Sequence, residues 1–142
     1  MYAFLCADRK PVTIEAHSHI RYEGDVKAAF RRYWPLATVQ NGQFYGIVYY
    51  FHRGSNQIDA DNLSKPVFDA LKNELYADDK FLEVVRSGIF DLTANGIEVL
   101  NLTKVPDNVF SDFLQALDRS DHILYIEVGD LDYGMFEFGC ER

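Results

Sequence analysis

The sequence is short of basic residues. Its 142 residues carry 14 Lys and Arg against 22 Asp and Glu, which gives a net charge of −8 at pH 7. Proteins that bind nucleic acid through phosphate contacts usually have an excess of basic side chains. The deficit is uneven, because residues 1–53 carry seven basic and four acidic side chains, whereas residues 105–142 carry two and nine. We therefore expect a mildly basic N-terminal part and an acidic C-terminal part.

Four basic side chains of the N-terminal part are candidates for contact with a nucleic-acid backbone: Arg21, Lys27, Arg31 and Arg32. A basic stretch attracts phosphate groups electrostatically. Charged side chains on a solvated surface are also common in proteins that bind no nucleic acid. Both interpretations remain open at this point.

Long hydrophobic runs and clustered cysteines are also missing. The longest apolar stretch, residues 44–51, is far shorter than the roughly 20 residues that a membrane-spanning helix needs. The N-terminus has no basic start followed by an apolar run, so it does not resemble a secretory signal, and we expect a cytoplasmic protein. Cys6 and Cys140 have no partner at a metal-binding spacing and are predicted to be reduced thiols. A disulfide between them is the alternative in an oxidising compartment.

Several common catalytic patterns are absent. The glycines form no phosphate-binding spacing, and no serine has a neighbouring His and Asp arrangement. His17 and His19 are two residues apart and can chelate a metal from one face of a strand, but no third ligand is near, and a half-buried strand explains them. One predicted strand carries a group of aromatic residues: Tyr45, Tyr49, Tyr50 and Phe51. They could stack on unpaired bases, but packing in the core is the simpler explanation.

The composition, 48% hydrophobic with 15% aromatic residues, is that of a globular chain, and the length fits a single domain over residues 1–142. Hydrophobic periodicity and turn residues predict both kinds of secondary structure along the chain. Strands are predicted over 10–19, 43–52, 81–90, 97–102 and 122–128, and helices over 25–33, 61–75 and 108–117. The predicted fold class is α+β, a small mixed sheet with helices.

Acidic residues are concentrated where the strand over 43–52 gives way to the following helix. Asp59 and Asp61 are two residues apart, so in an extended backbone both side chains point to the same side and can share one ion. Asp61, Lys65 and Asp69 then recur at four-residue steps on one helical face, opposite an apolar stripe. The simpler interpretation is that Asp59 and Asp61 cap the helix.

A second acidic pair, Asp78 and Asp79, follows the helix. It can join the first pair only if the next strand runs back beside the strand over 43–52, and an ordinary turn is the alternative. Clustered carboxylates suit Mg²⁺, which prefers oxygen ligands and uses few protein groups. A metal ion there promotes ionisation of water and stabilises charge during phosphodiester hydrolysis, and Lys65 can neutralise charge on the phosphate.

These residues carry a resemblance. The order Asp-x-Asp-Asn-Leu-x-Lys, then Phe-Asp-Ala-Leu, then Asp-Asp before a strand, resembles the RusA family of Holliday junction resolvases over residues 44–90. The resemblance implies that Asp59, Asp61 and Asp79 are catalytic carboxylates that bind Mg²⁺ or Mn²⁺ and that Lys65 assists cleavage. It leaves supporting positions to Asn62, Asp69 and Asp78.

The resemblance also implies a RusA-like α+β fold and a homodimer that makes paired cuts in a four-way DNA junction. Its expected activity is that of a Mg²⁺-dependent endodeoxyribonuclease in DNA recombination and repair. The acidic charge and the absence of the Pro-Pro-Ser-x-Asn stretch common near family N-termini motivate an alternative. In that alternative the chain is a non-catalytic RusA-like module that engages a basic protein partner through its acidic surface.

Overall fold

A computed structural model describes residues 1–14, 16–56, 58–93 and 101–139 of the protein. Over these residues the chain forms four β-strands, three α-helices and two short 3-10 turns. In chain order the main elements are β1 (Tyr2–Ala7), α1 (His19–Tyr33), β2 (Phe44–His52), α2 (Ala60–Leu71), β3 (Leu82–Asp91), α3 (Asp107–Arg119) and β4 (His122–Asp130).

The strands form one mixed sheet in the order β1-β4-β2-β3. β4 pairs antiparallel with both β1 and β2, whereas β3 pairs parallel with β2, Phe44 lying opposite Leu82 and His52 opposite Asp91. A parallel neighbour needs a crossover connection, and α2 supplies it. The predicted α+β class is therefore confirmed.

Helices cover both faces of the sheet, and the alternation of side chains along each strand decides which residues meet which helix. On one face, α1 and α2 bury side chains such as Phe30 and Val67 against Val48 of β2. On the other face, α3 packs Phe113 against Phe51 of β2, with ring centroids 5.0 Å apart. The helix with the acidic motif, α2, thus lies on the face that it shares with α1.

A glycine sets how closely α2 approaches the sheet. A Cβ atom built on Gly46 of β2 would lie 2.7 Å and 2.8 Å from two ring carbons of Phe68 in α2, and 3.2 Å from Leu82. Side chains do not pack that closely, so only glycine at this position allows the Phe68 ring to lie so near the backbone of β2. The Phe68 ring therefore fixes the position of α2 over the start of β2.

Most of the predicted elements are confirmed, with shifted ends. The strands predicted over 43–52, 81–90 and 122–128 correspond to β2, β3 and β4, and the helices predicted over 61–75 and 108–117 correspond to α2 and α3. The helix predicted over 25–33 begins six residues earlier, at His19. The earlier start is stabilised by Tyr22, which is fully buried and extends the apolar face of α1.

The strand predicted over 10–19 is wrong. Its described residues form loop and turn structure up to His19, where α1 begins, and Val12 packs against the helix-covered core without sheet pairing. Pro11 lacks the N–H that a strand ladder needs, and Val12, Thr13 and Ile14 are all partly buried rather than alternately buried and exposed. The actual first strand, β1, was not predicted. The strand predicted over 97–102 falls at 97–100 outside the described residues, and Asn101 and Leu102 belong to no strand.

Candidate active site

The segment between β2 and α2 turns the chain outward through local hydrogen bonds. His52 is buried, and its Nδ1 lies 2.9 Å from the carbonyl oxygen of Gly54, which has a φ of +81°. The side chain of Asn56 accepts from the N–H of Ile58 at 3.0 Å and donates to its carbonyl oxygen at 2.9 Å. Ile58 enters the core, so the next residue, Asp59, is exposed.

Asp59 and Asp61 are exposed at the start of α2. Asp59 is the N-cap residue, with extended backbone angles of −87° and 152°, but its side chain makes no capping hydrogen bond. Asp61 lies in the first turn, and its side chain has no hydrogen-bond or ion-pair partner among the residues described. The capping interpretation therefore does not account for either carboxylate, although the positive end of the helix dipole favours both.

The middle of α2 presents the predicted polar row. Lys65 donates to the carboxylate of Asp69 at 3.2 Å, one helical turn further on, with 61% of its side chain exposed. This i,i+4 pair directs the ammonium toward Asp69 rather than Asp61. Exposed pairs of this kind are worth about 0.5 kcal/mol, so Lys65 is free to exchange partners. Asn62 is exposed and donates its backbone N–H to the carbonyl oxygen of Asp59.

Pro66 is the seventh residue of α2, beyond the first turn, where proline is best tolerated. Its missing N–H leaves the carbonyl of residue 62 without the usual helical donor. The helix nevertheless continues to Leu71, because the buried faces of Leu63 and Val67 hold it against the core. Tertiary packing thus outweighs the local cost of proline.

Tyr76 secures the chain after α2. Asn73 adopts a left-handed conformation with a φ of 67°, which ends the helical path. Tyr76 is fully buried, and its hydroxyl donates to the carbonyl oxygen of Phe68, which is left free near the helix end. Burial raises the pKa of Tyr76, and the charges of Asp79 and Asp69 raise it further. Both carboxylates therefore lie within electrostatic reach of one phenol.

The two members of the second acidic pair differ. Asp78 caps the 3-10 turn Asp79–Phe81, since its side chain accepts from the N–H of Lys80 at 3.0 Å. Asp79 is exposed; its backbone carbonyl oxygen accepts from the N–H of Leu82, but its side chain makes no hydrogen bond or ion pair within the described parts of the chain. The turn interpretation accounts for Asp78, whereas the carboxylate of Asp79 is available to a ligand.

The carboxylates lie in two places along α2. Asp59 and Asp61 stand at its start, after the end of β2, whereas Asp79 lies beyond its end, in the turn before β3, whose first residue Leu82 is paired with Phe44 at the start of β2. Within the described residues no three His, Cys, Asp or Glu side chains form a group ready to hold a metal ion. The parallel return of β3 that the sequence required is present, but it does not by itself bring Asp79 to the first pair.

The donor set still suits a hard cation. Mg²⁺ commonly takes only one or two carboxylates and keeps several waters. Asp59 and Asp61 offer exposed carboxylate oxygens that no described side chain occupies. Their role as metal ligands, together with that of Asp79, stays a prediction.

The four predicted nucleic-acid contacts of α1 differ in availability. Arg31 donates to the Glu74 carboxylate at 2.9 Å and 2.5 Å and to the carbonyl oxygen of Ala37 at 2.6 Å. It thereby joins α1 to the loop that follows α2. The others are exposed on α1 and form no ion pair with any residue in the described ranges: Arg21, Lys27 and Arg32.

Sequence reasoning missed the residues that hold the motif in place. Tyr76 and the ion pair of Arg31 with Glu74 attach the middle of the loop between α2 and Asp79 to α2 and α1, respectively. The only sequence signal for Tyr76 is an aromatic residue within the polar stretch 72–80. Nothing in the sequence joins residues 31 and 74, which lie 43 positions apart.

Comparison with known protein families gives one match. Residues 9–100 match the family described as Endodeoxyribonuclease RusA, and the matched range contains the whole acidic motif. The chain belongs to the RusA endodeoxyribonuclease family. The resemblance read from the motif is therefore confirmed. A search of curated proteins found no match.

Most of the negative charge of the chain lies outside the residues that match the RusA family. The acidic stretch 105–142, with nine acidic and two basic side chains, lies beyond the matched residues. The shortage of basic residues is thus concentrated outside the RusA match. In the described ranges, no helix has both the length and the apolar character needed to cross a membrane.

Proposed function

We propose that the protein is a metal-dependent, structure-specific endodeoxyribonuclease that cleaves four-way (Holliday) DNA junctions by phosphodiester hydrolysis. The match to the RusA family carries the proposal, because residues 9–100 include every acidic residue of the motif. The exposure of Asp59 and Asp61 at the start of α2 supports it, since neither side chain is used in capping the helix.

In this proposal Asp59 and Asp61 are the primary ligands of Mg²⁺, for which Mn²⁺ can substitute, and Asp79 supplies a further carboxylate. The bound cation would promote ionisation of water and neutralise phosphate charge. Lys65 would leave its weak pair with Asp69 and place its ammonium on a phosphate oxygen. The exposed carboxylates also keep the site closed to an anionic strand until a cation is present.

Asp78, Asp69 and Asn62 have supporting roles in the proposal. Asp78 holds the turn that carries Asp79, because its side chain caps that turn. Asp69 holds Lys65 on the polar face of α2 before substrate binds. Asn62 is exposed beside the primary pair and can orient a bound water or phosphate.

Contact with the DNA backbone is assigned to the exposed basic side chains of α1, Arg21, Lys27 and Arg32. Arg31 contributes by holding α1 to the loop after α2, because Glu74 occupies its guanidinium. A homodimer would supply two equivalent sites for the paired cuts that a two-fold junction requires.

A second candidate is a non-catalytic RusA-like module that binds a basic protein partner. It is favoured by the acidic stretch 105–142 and by the finding that, among the described residues, no three His, Cys, Asp or Glu side chains are grouped to hold a metal ion. In this case the family fold would persist without junction cleavage. Affinity for a four-way junction at low salt separates the two, since phosphate contacts are strongest there.

The deciding experiment is a nicking assay on a synthetic four-way junction with Mg²⁺ or Mn²⁺. The wild type should make paired nicks, Asp59→Asn and Asp61→Asn should each abolish them, and Asp79→Asn should reduce them strongly. Asp118→Asn is the matched control, because Asp118 is an exposed residue of α3 and the substitution removes the same charge. Absence of nicking by the wild type on any branched substrate, across metals and salt concentrations, would refute the proposal.

A further inference from the structure

The described residues cover only part of the sheet face that carries α3. α3 lies over β1 and β4, and beside it a groove of about 520 Å³ runs over the neighbouring part of β2. A volume of this size accommodates a small organic group. Aromatic side chains form much of its lining: Tyr45, Tyr49, Phe51, Phe110, Phe113 and Tyr125.

Glycines let two of these rings lie flat against the sheet. Tyr45 is paired with Gly129 across β2 and β4, and a Cβ atom on Gly129 would lie 2.7 Å from the Tyr45 ring. Tyr49 is paired with Gly88 across β2 and β3, where a Cβ atom would lie 3.1 Å from the Tyr49 ring. The rings therefore spread over the strands, and the space above them stays open.

A carboxylate lies at the floor of this aromatic groove. Glu127 of β4 is half-buried, and each of its oxygens accepts a hydrogen bond from a tyrosine, Tyr45 at 2.5 Å and Tyr125 on the other oxygen. Burial raises the pKa of both tyrosines, and the bonds to Glu127 raise it further, so both hydroxyls stay protonated donors. A carboxylate has about four lone-pair positions, so two acceptor positions remain for a ligand.

The rim of the groove is cationic, in contrast to the acidic chain as a whole. Arg86 of β3 and Lys104 border the groove, and neither forms an ion pair with another residue that the structure describes. The guanidinium of Arg86 stacks 5.3 Å from the ring of Phe136. These positive charges suit a phosphate at the mouth of the groove.

We propose that this groove holds one unpaired nucleotide of a DNA strand, a base with an exocyclic amino group on Glu127 and its flanking phosphates on Arg86 and Lys104. The inference rests on the proposed function in taking DNA as the substrate. Aromatic side chains stack on any base, and a carboxylate accepts from the amino group of cytosine or adenine. The flat rings thus match the face of the base, the Glu127 carboxylate matches its amino group, and the two cations match the flanking phosphates.

The same residues decide against an apolar protein segment as the occupant. A segment with aliphatic side chains would cover Glu127 without donating a hydrogen bond to its free acceptor positions. Burying a carboxylate in this way is unfavourable. It would also leave the positive charges of Arg86 and Lys104 without a counterpart at the rim.

The test compares the binding of the single strands dC12 and dT12 by fluorescence anisotropy, in low salt with a chelator so that no cleavage occurs. The two bases stack similarly, but only cytosine carries the amino group. The wild type should bind dC12 about tenfold more tightly. Glu127→Gln should remove or reverse the preference, because an amide can donate to the thymine carbonyl. Glu137→Gln, an exposed change of the same charge, should keep it.

A second variant tests stacking. Tyr49→Leu should weaken binding of both strands about tenfold without changing the preference, with folding checked by circular dichroism. Equal affinity of the wild type for dC12 and dT12 would overturn the proposal, and so would a Glu127→Gln protein that keeps the wild-type preference. Competition by free dCMP as effective as dC12 would overturn it in favour of a free nucleotide.

The groove and the proposed cleavage can fail separately. If Tyr49→Leu converts a dimer to a monomer in sedimentation velocity while strand affinity is unchanged, the face binds a second copy and the proposal is wrong. Asp61→Asn should leave the dC12 preference intact, since it lies on the opposite face of the sheet. If the wild-type protein prefers dC12 but does not nick junctions, nucleotide binding in the groove is supported and junction cleavage is refuted. If it nicks junctions but shows no preference for dC12, only nucleotide binding in the groove is refuted.

Discussion

The packing of α2 on β2 makes a quantitative prediction at Gly46. Gly46→Ala places a methyl group 2.7 Å from the Phe68 ring and 3.2 Å from Leu82, whereas carbon atoms in contact normally lie about 3.5–4.0 Å apart. The ring is 5% exposed and has no open space to enter. Either the ring or the whole of α2 must move away from the sheet.

The expected cost is the difference between two effects. Overpacking of a tight core costs about 1–3 kcal/mol. Alanine is favoured over glycine in a strand interior by about 0.5–1 kcal/mol. The central values of these two ranges differ by about 1 kcal/mol, so the substitution should lower the free energy of unfolding by about that amount, a fall in Tm of roughly 3 to 4 °C for a chain of this size.

Denaturant unfolding measures this change, with Gly24→Ala as the matched control. Gly24 is an exposed residue of α1 with no atom within 4 Å of a built Cβ, so alanine there should raise stability by about 0.5–1 kcal/mol. The combination of Gly46→Ala with Phe68→Leu should cost at least 0.5 kcal/mol less than the sum of the two single changes. A Gly46→Ala protein as stable as the wild type, or strict additivity with Phe68→Leu, would show that the contact does not set the height of α2.

Three further predictions concern individual side chains. Tyr76→Phe should lower the free energy of unfolding by about 1–3 kcal/mol, measured by denaturant titration, because the buried carbonyl of Phe68 loses its donor; an unchanged midpoint would contradict this. Arg31→Ala should lower Tm, because it removes the ion pair with Glu74. Arg32→Ala should leave Tm unchanged and reduce the salt dependence of junction binding by about one phosphate contact. The reverse pattern would refute the structural role of Arg31 and the DNA contact of Arg32. Burial raises the pKa of Cys6 from 9.0 to about 11. The folded protein therefore resists ionisation of this thiol, which ionises more readily in the unfolded chain. The penalty on stability is absent below pH 9 and grows as the pH rises toward 11. The wild type should thus lose more stability than Cys6→Ala between about pH 8.5 and 10.5.

The sequence patterns predicted the elements whose own residues carry a strong pattern. β2 is a nearly continuous run of large apolar residues, and α2 has a stripe at helical spacing, so both were predicted within a few residues. β1 was missed because its main pairing partner, β4, lies about 120 residues away, as in the pair Tyr2 and Val128. Alternation in the stretch 10–19 predicted a strand, but Val12, Thr13 and Ile14 are all partly buried in a loop, so the period alone did not identify the structure there.

The site was predictable in its residues but not in its assembly. Asp59 and Asp61 follow from their spacing and from the family motif, and the structure leaves both side chains exposed. The relation of Asp79 to them depends on where α2 ends and on the direction of β3, which only the folded chain determines. Arg31 illustrates the same limit, since its partner Glu74 is invisible to local patterns.

The proposed cleavage depends on a divalent cation held by Asp59 and Asp61. An anomalous difference map from crystals soaked in Mn²⁺ would locate that ion. We expect a peak within about 2.2 Å of carboxylate oxygens of Asp59 and Asp61, absent from crystals of Asp61→Asn. Soaked crystals with no peak at this pair, or with Mn²⁺ bound only elsewhere on the acidic surface, would contradict it.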